Sequence, residues 1–449
     1  MMGSRLVRGL TALLGASLLV ACARDEQSAG LVLRNFLLVD AEAERVFSAT
    51  LVIEGGKIVA VEESGEAATE GKHYAEVDGA GGFLLPAFWD LKMSAWGNPS
   101  TEFFRDLFQT LRFTDCMRVQ LFYGVAHVVV SNMERTWIER ELRRATALEL
   151  DAAEAIYPDL PLCEPKYPDD CASLSVERVP TWLDELKQRG TPLVQIYFGP
   201  PWELMKPPPS DVIAAAIAGA RERGMRTYVV IDDWQRAREV IELGAQAIQG
   251  LPEGPLSDEL IALMKSKGVA YAPALTGWLE LPRLLGNRPA LLDVFLTASV
   301  QLPVLQSFMV SESEVWEGWK PLAGDQRRDR GLANLTRIAS AGIPIVTATD
   351  TGWASGTFQG YSMHAYQTWL ERAGVDPWVR LRASAQAPAN YLGRRAGFAV
   401  GDPADFVAVG EDPLTSAAAL REITLLVREG RAVERESLKP DVSRPAWRR

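Results

Sequence analysis

The chain has 449 residues and a formal net charge of −11 at pH 7; 47% of its residues are hydrophobic and 23% are charged. This composition is typical of a globular protein and excludes extensive disorder. The acidic balance disfavours nucleic acid and anionic lipid surfaces as partners, because both would repel it.

The first 21 residues have the order of a secretory signal peptide. Arg5 and Arg8 precede an apolar run from Leu10 to Val20 that is too short to span a membrane. The Leu-Val-Ala sequence before Cys22 resembles a bacterial lipobox, which implies lipidation of Cys22 and anchoring in the cell envelope. Ala23, in place of an aspartate, favours the periplasmic face of the outer membrane. An ordinary cleaved signal peptide is the alternative, and residues 22–30 would form a tether.

Three further cysteines follow in the chain. Cys163 and Cys171 bracket a turn-rich segment, and an exported protein can form disulfides, so we predict a disulfide between them. Two free thiols are the alternative. A zinc pair is disfavoured, because the spacing is wide and no histidine is near. Cys116 lies in an apolar stretch and is predicted to be a buried thiol.

Both ends of the chain carry runs of β-branched residues separated by turn residues, which predict strands. Because the two ends share this pattern around a different middle, they predict one small composite β-sandwich. It would comprise residues 31–82 and 396–435, and residues 436–449 would form a C-terminal tail.

Residues 83–395 alternate short apolar strands with helices, a pattern typical of a βα barrel or a doubly wound sheet. Three helices are predicted to begin near Ser210, Trp234 and Ser257, and each ends before a glycine. Residues 280–325, which include Trp316 and Trp319, form an insertion that could cover a barrel mouth. The predicted strands are Phe83–Trp89, Val125–Val130, Leu193–Phe198, Thr227–Ile231, Ala245–Gln249, Val269–Ala272 and Pro344–Thr349.

Several of these segments resemble the amidohydrolase superfamily, in particular its imidazolonepropionase-like and prolidase-like branch. Residues 84–90 resemble the approach to the first barrel strand, residues 342–350 the eighth strand with its terminal aspartate, and residues 401–409 the closing segment. The resemblance implies an α/β fold with a distorted TIM (β/α)8 barrel. It also implies hydrolysis of C–N bonds with one or two divalent metals at the barrel mouth.

The family's metal-ligand positions hold other residues in this chain. Asp350 alone matches, and the whole chain has three histidines, which are His73, His127 and His364. The resemblance therefore implies a divergent member without a zinc centre. The other ligand positions are taken by Lys92 and Ser94 in place of His-x-His, by Gln195 near the strand-four lysine, and by Val230 and Gly250 in place of the histidines of strands five and six.

An aspartate buried at a barrel mouth without a metal would be an uncompensated charge. We therefore expect the Lys92 ammonium to pair with Asp350, as a structural ion pair. A lysine base activating the Ser94 hydroxyl is a less favoured alternative. Asp232 and Asp233, together with other carboxylates, could instead form an oxygen-only Mg²⁺ or Ca²⁺ site. The favoured alternative is that one of these two residues caps the helix beginning at Trp234. The other carboxylates of that oxygen-only site would be Asp90, Glu203 and Asp350.

Aromatic and polar side chains are predicted around the mouth, where they could contact a ligand or pack beneath loops. His364 is interpreted as lying behind the site, His127 as a satisfied core histidine and His73 as a surface residue. The candidate catalytic residues are Asp350, Lys92 and Asp232; the candidate ligand-binding residues are Ser94, Gln195, Tyr197, Trp353 and His364, with Trp202 and Tyr361 as further aromatics.

The favoured function is that of a membrane-anchored, amidohydrolase-like lipoprotein that binds a small molecule, peptide or partner at the barrel mouth. No cofactor is expected: zinc is disfavoured, whereas Mg²⁺ or Ca²⁺ held by carboxylates stays open. One alternative is a hydrolase of amide, peptide or cyclic C–N bonds without the usual metals. The other is an envelope scaffold that uses the tryptophan-rich insertion.

Overall fold

The computed structural model confirms the predicted α/β fold. It describes residues 28–63, 71–94, 113–131, 139–141, 143, 145–146, 148–165, 172–199, 205–300, 305, 325–352 and 357–440.

Both chain ends contribute to one mixed eight-stranded sheet, with the order β17-β16-β15-β5-β1-β2-β3 and with β4 paired to β1. The junction between the two ends is the antiparallel pairing of β5 with β15, in which Leu84 faces Ala408. Apolar side chains such as Leu33, Leu38 and Phe406 are buried in its core. The second layer of the predicted sandwich stays a prediction. The strands are β1 (Leu31–Asp40), β2 (Arg45–Glu54), β3 (Lys57–Glu62), β4 (Ala75–Asp78), β5 (Phe83–Pro86), β15 (Phe406–Val409), β16 (Ile423–Arg428) and β17 (Arg431–Val433).

The middle of the chain forms two parallel sheets, with the orders β6-β7-β8 and β10-β12-β13-β14. Their strands are short, rich in β-branched residues and buried, as expected for strands covered on both faces. The strands are β6 (Phe88–Ser94), β7 (Val125–Ser131), β8 (Glu154–Ile156), β10 (Leu193–Phe198), β12 (Arg226–Ile231), β13 (Ala247–Gly250) and β14 (Ala270–Pro273); β9 (Glu164–Pro165) and β11 (Met205–Lys206) form a separate antiparallel pair.

The predicted strand Pro344–Thr349 is present only as an isolated bridge between Ile345 and Tyr271. Backbone hydrogen bonds nevertheless place this segment between β14 and β6: Val346 N donates to Tyr271 O at 3.0 Å, and Leu91 N donates to Thr347 O at 2.9 Å. The strands of the described residues do not define a closed eight-stranded barrel, so closure stays a prediction.

Helices follow the parallel strands and pack their apolar faces on them. The predicted helix ends are confirmed at two of them: α4 has an Asp233 cap and ends at Gly244, and α5 has a Ser257 cap and ends at Gly268. The helices are α1 (Phe113–Phe122), α2 (Val179–Gln188), α3 (Ser210–Glu222), α4 (Trp234–Leu243), α5 (Asp258–Lys267), α6 (Leu281–Gly286), α7 (Val294–Thr297), α8 (Asp325–Ser340), α9 (Tyr361–Arg372), α10 (Pro377–Ser384) and α11 (Gln386–Tyr391). No helix in the described part of the chain is long and apolar enough to cross a membrane.

A π-helix, Thr276–Glu280, follows β14 and leads into the predicted insertion of residues 280–325. The Thr276 hydroxyl donates to the carbonyl of Thr349, so this π-helix starts beside Asp350. Buried Glu280 accepts from Arg283 at 2.6 Å and from Trp369 Nε1 at 3.0 Å, which fixes this segment to α9. Trp316 and Trp319 lie outside the described residues.

Candidate functional site

The expected pair of Lys92 and Asp350 is present. Lys92 Nζ lies 3.1 Å from Asp350 Oδ2, and the two side chains are 2% and 32% exposed. The backbones are joined as well, because Asp350 N donates to Lys92 O at 2.8 Å. Asp350 has a φ of 53°, in the left-handed region that aspartate tolerates better than most residues. This backbone turn and the hydrogen bond together fix the carboxylate beside β6.

Two further groups surround the ammonium. Lys92 Nζ donates to Gln249 Oε1 at 3.1 Å and lies 4.7 Å from the centre of the Tyr197 ring, a cation–π distance. Burial alone would lower the pKa of Lys92, but the charge of Asp350 and the contact with Tyr197 outweigh it and raise the pKa. The side chain is therefore a fixed cation rather than a free amine base or nucleophile.

Asp90 joins β6 to the segment that ends at Asp350. Its carboxylate accepts from Thr349 N at 2.8 Å, from the Thr349 hydroxyl and from Lys92 N at 3.1 Å. Burial raises the pKa of Asp90 to about 7, although these hydrogen bonds act in the opposite direction. Because backbone and hydroxyl donors already engage both carboxylate oxygens, the structure places Asp90 in a positioning role beside the pair.

Buried polar side chains lie on the neighbouring strands. Gln195 of β10 faces Tyr228 of β12 in the strand register, and Gln249 lies on β13. Among the described residues no partner is found for either amide atom of Gln195, for Gln249 Nε2 or for the Tyr228 hydroxyl. Burial raises the pKa of Tyr228, and the negative charges of Asp350 and Asp90 act in the same direction. An unpaired buried polar group typically destabilises a fold, so these residues mark a polar interior that packing alone does not explain.

Asp232 and Asp233 follow β12 as predicted. Asp233 Oδ1 accepts from Arg236 N at 2.7 Å and caps α4, which confirms the favoured alternative. Asp232 pairs with the Arg236 guanidinium at 2.9 Å. Burial raises the pKa of Asp232, although the Arg236 charge opposes this. These contacts connect β12 to α4, whereas the contacts of Asp350 connect it to Lys92. Among the described residues, no three histidine, cysteine, aspartate or glutamate side chains are grouped closely enough to hold a metal ion.

The buried histidine His364 lies in another part of the core. Its Nε2 is 2.9 Å from the carbonyl of Tyr123, and its ring packs edge-on against Phe88 and Phe295. Burial lowers the pKa of His364 to about 3, so the ring is neutral. These contacts agree with the interpretation of a residue that lies behind the site.

His127 is a satisfied core histidine, as predicted, and its partners are two carboxylates. Nδ1 lies 2.8 Å from Glu154 and Nε2 lies 3.0 Å from Asp405, while the ring stacks on Trp89 at 3.9 Å. Both Nη atoms of Arg394 bind Glu154 at 2.9 Å. This network ties β7 and β8 to the sheet formed by the chain ends.

Several candidates lie wholly or partly outside the described part of the chain. Ser94 ends β6 in register with Ser131, but its side chain is outside the described atoms. Cys163 is disulfide-bonded, whereas its predicted partner Cys171 is outside the described residues. The described residues also do not include Cys22, Trp202, Glu203 and Trp353.

The sequence interpretation missed Gln249 and Tyr228. A usable signal existed for both: Gln249 directly precedes Gly250, which was aligned with a metal-ligand position, and Tyr228 lies two residues before Val230, on the same face of its strand.

Solved structures of several hydrolases have a similar architecture. They include a Xaa-Pro dipeptidase with bound methionine in its active site (TM-score 0.69, 15% identity, 90% of this chain and 99% of that chain). They also include molinate hydrolase (TM-score 0.69, 16% identity, 93% and 98%) and the ochratoxinase of A. niger (TM-score 0.67, 14% identity, 93% and 99%). The chain has an amidohydrolase-type fold. No protein-family model and no curated protein matches it, and at these identities the structural likeness defines the fold, while the chemistry depends on the site.

Proposed function

We propose that this protein binds a small molecule or peptide at the carboxyl ends of its parallel strands, around a centre in which the Lys92 ammonium replaces the divalent metal of the fold family. The observation that carries the proposal is the buried contact of 3.1 Å between Lys92 and Asp350. Ligands of parallel α/β folds bind at this end of the strands, where Asp350 is partly exposed.

The residues present do not suit a divalent metal. Lys92 already supplies a cation to the carboxylate that would bind the metal, and Gln249 and Tyr197 hold this cation in place. An ammonium and a divalent ion at such a distance would repel each other. The carboxylate of Asp90, on the same strand as Lys92, is already engaged by Thr349 and by the Lys92 backbone.

Hydrolysis of C–N bonds is the second candidate. It is supported by the fold shared with a dipeptidase and with molinate hydrolase. It is also supported by Asp350, which is a third exposed and could orient a water molecule. Lys92 would then stabilise negative charge rather than accept a proton, because its pKa is raised.

We also propose that the protein is exported and anchored through lipidated Cys22 at the periplasmic face of the outer membrane. The proposal is supported by the basic, apolar and small-residue order of residues 1–21 and by the Leu-Val-Ala-Cys sequence.

The binding proposal is tested with the mature protein against a panel of amines, alcohols, carboxylates, amides and dipeptides, by thermal shift followed by calorimetry. Mass spectrometry of the same mixtures detects hydrolysis. We expect at least one panel compound to bind and to lose affinity in Lys92→Met. The matched control is Asp184→Asn, which removes a surface carboxylate paired with Arg223 at 2.7 Å. A compound that binds wild type and Lys92→Met with equal affinity would contradict the proposed site. Cleavage of any panel compound by the wild-type protein would favour the second candidate, hydrolysis of C–N bonds.

A further inference from the structure

One face of the sheet β10-β12-β13-β14 carries three buried polar side chains. In the strand register Gln195 faces Tyr228, and Gln249 faces Val230, which lies two residues after Tyr228. Because registered residues of parallel strands point to the same side and side chains alternate along a strand, all three polar residues lie on one face. Each of them is at most 2% exposed. Neighbouring strands are about 4.8 Å apart, so the three side chains belong to one small region.

Four polar atoms of these side chains have no hydrogen-bond partner among the described residues. They are both amide atoms of Gln195, the Tyr228 hydroxyl and Gln249 Nε2. Buried polar atoms kept without partners are costly to a fold, which favours a role in binding over a role in packing.

Lys92 determines which end of the Gln249 amide is offered to a ligand. An ammonium can only donate, so the amide oxygen Oε1 must be the atom that lies 3.1 Å from Lys92 Nζ. The remaining end of the amide is Nε2, which is a donor. Gln249 therefore requires a ligand atom that accepts a hydrogen bond, and Lys92 holds the amide in this orientation.

Small apolar residues line the rest of the same face. Ala272 faces Gln249 in the register. Ala247 faces Tyr228 on one side and Ala270 on the other. The three alanines and Tyr228 are buried in one apolar cluster. Alanine fills less space than the branched residues that dominate barrel interiors, so carbon surface suited to a ligand accompanies the polar atoms.

The balance of donors and acceptors selects the ligand group. Three of the four unpaired atoms can donate, whereas Gln195 Oε1 only accepts. A protonated amine cannot accept from the donors. A carboxylate cannot donate to Gln195, and the negative charges of Asp90 and Asp350, which act on Tyr228, would repel it. A hydroxyl accepts and donates with one heavy atom, whereas an amide needs three in this almost fully enclosed region.

We propose that Gln195, Tyr228 and Gln249 bind an uncharged hydroxyl group of an alcohol ligand. This inference rests on the proposed function and specifies its ligand class. The hydroxyl oxygen accepts from Gln249 Nε2 and from the Tyr228 hydroxyl, and the hydroxyl hydrogen is donated to Gln195 Oε1. Burial raises the pKa of Tyr228, so its own hydroxyl stays protonated and remains a donor. The carbon skeleton of the ligand packs on the alanines.

The test compares four probes that carry different polar groups on the same ring: cyclohexanol, cyclohexanone, cyclohexylamine and cyclohexanecarboxamide. Calorimetry on the mature wild-type protein should show that cyclohexanol binds about fivefold or more tightly than each of the others, because it alone satisfies donors and acceptor with one heavy atom. Since cyclohexanol is uncharged, its affinity should not change as salt is raised.

Two variants place the preference on this face. In Gln195→Met the advantage of cyclohexanol over cyclohexanone should vanish, because the acceptor for the hydroxyl hydrogen is gone. In Tyr228→Phe the affinity for cyclohexanol should fall about fivefold. The matched control is Tyr391→Phe: Tyr391 lies in the same apolar cluster, but its hydroxyl donates to Thr227 O at 2.8 Å, so the wild-type order of affinities should be kept. If a variant does not fold, the order of the four affinities in the wild-type protein still decides the inference.

Cyclohexanone, cyclohexylamine or cyclohexanecarboxamide binding at least as tightly as cyclohexanol would overturn the inference. No detectable binding of cyclohexanol would also overturn it, because the hydroxyl partner of these side chains would then be water alone. Failure of the proposed function is distinguishable from both results. Another panel compound that binds wild type but not Lys92→Met would leave the proposed function standing with a different ligand class.

Discussion

Lys92 Nζ lies 3.1 Å from Asp350 Oδ2, and the main chains of the same two residues are joined by a hydrogen bond of 2.8 Å. Lys92 lies near the carboxyl end of β6, and Asp350 follows the segment Pro344–Thr349, which hydrogen-bonds to the same strand. The pair therefore joins these two segments and places a cation beside the Asp350 carboxylate.

The two members of the pair should respond unequally to substitution. Asp350→Asn leaves an ammonium that is almost fully buried, so we expect a loss of about 3 to 5 kcal/mol in the free energy of unfolding. Lys92→Met leaves a carboxylate that is a third exposed and partly hydrated, so we expect a smaller loss of about 2 kcal/mol. Urea denaturation of both variants measures the difference.

The double variant Lys92→Met/Asp350→Asn is the control for this prediction. Because it leaves no unpaired charge, it should be more stable than Asp350→Asn alone. If the two single losses are equal, or if they simply add in the double variant, the two side chains do not form the buried pair.

Gln195 offers a test of the polar interior. Gln195→Met replaces a buried amide that has no hydrogen-bond partner among the described residues by an apolar side chain of similar size, so we expect unchanged stability or a gain of about 1 kcal/mol. The matched control is Gln120→Met, because Gln120 Nε2 donates to Gln359 Oε1 at 2.8 Å and the substitution removes this buried hydrogen bond. Thermal unfolding should show the opposite sign for the two variants. A clear loss of stability in Gln195→Met would show that the amide has a structural role.

The network around His127 predicts a pH dependence of stability. Burial alone would raise the pKa of Glu154, but hydrogen bonds from His127 and Arg394 lower it from 4.5 to about 2. A lowered folded-state pKa stabilises the fold at pH values above 4.5, and this contribution is lost as the pH falls from 4.5 to about 2. The free energy of unfolding should therefore decline over this window in wild type and decline less steeply in Glu154→Gln. Identical slopes in the two proteins would contradict the assignment.

The proposed lipid anchor is tested by substituting Cys22. Cys22→Ala removes the thiol that a lipid would modify, so the variant should appear in the soluble fraction, or as uncleaved precursor, whereas the wild type should sediment with membranes and require detergent. Mass spectrometry of the wild-type N-terminus should show a diacylglyceryl group on Cys22. A wild-type chain that is soluble and starts at any other residue would rule out the anchor.

The Lys92–Asp350 pair could be predicted from sequence, because the resemblance of residues 84–90 and 342–350 to known barrel segments assigned both residues to the same mouth. The helix cap at Asp233 follows a local rule and could be predicted for the same reason. The helix ends at Gly244 and Gly268 could be predicted as well, because a glycine after the last helical residue is a local signal for a helix end.

Contacts between distant segments could not be predicted. Gln249 reaches Lys92 from a strand on another sheet, and the partners of His127 come from β8 and from the segment before β15. Each depends on how the sheets are placed relative to one another, which periodicity does not encode. The segment Pro344–Thr349 has the apolar pattern of a strand, yet it forms a single bridge at Ile345 before Asp350 enters the left-handed region.

The metal content of the purified mature protein tests the central claim most directly. It is measured by mass spectrometry without added metal and after dialysis against Zn²⁺, Mn²⁺ and Mg²⁺ in turn, followed by metal-free buffer. With the Lys92 ammonium on Asp350, we predict no stoichiometric metal under any of these conditions. Retention of about one ion per chain that is lost in Asp350→Asn would contradict the account, because a metal would then occupy the position assigned to Lys92.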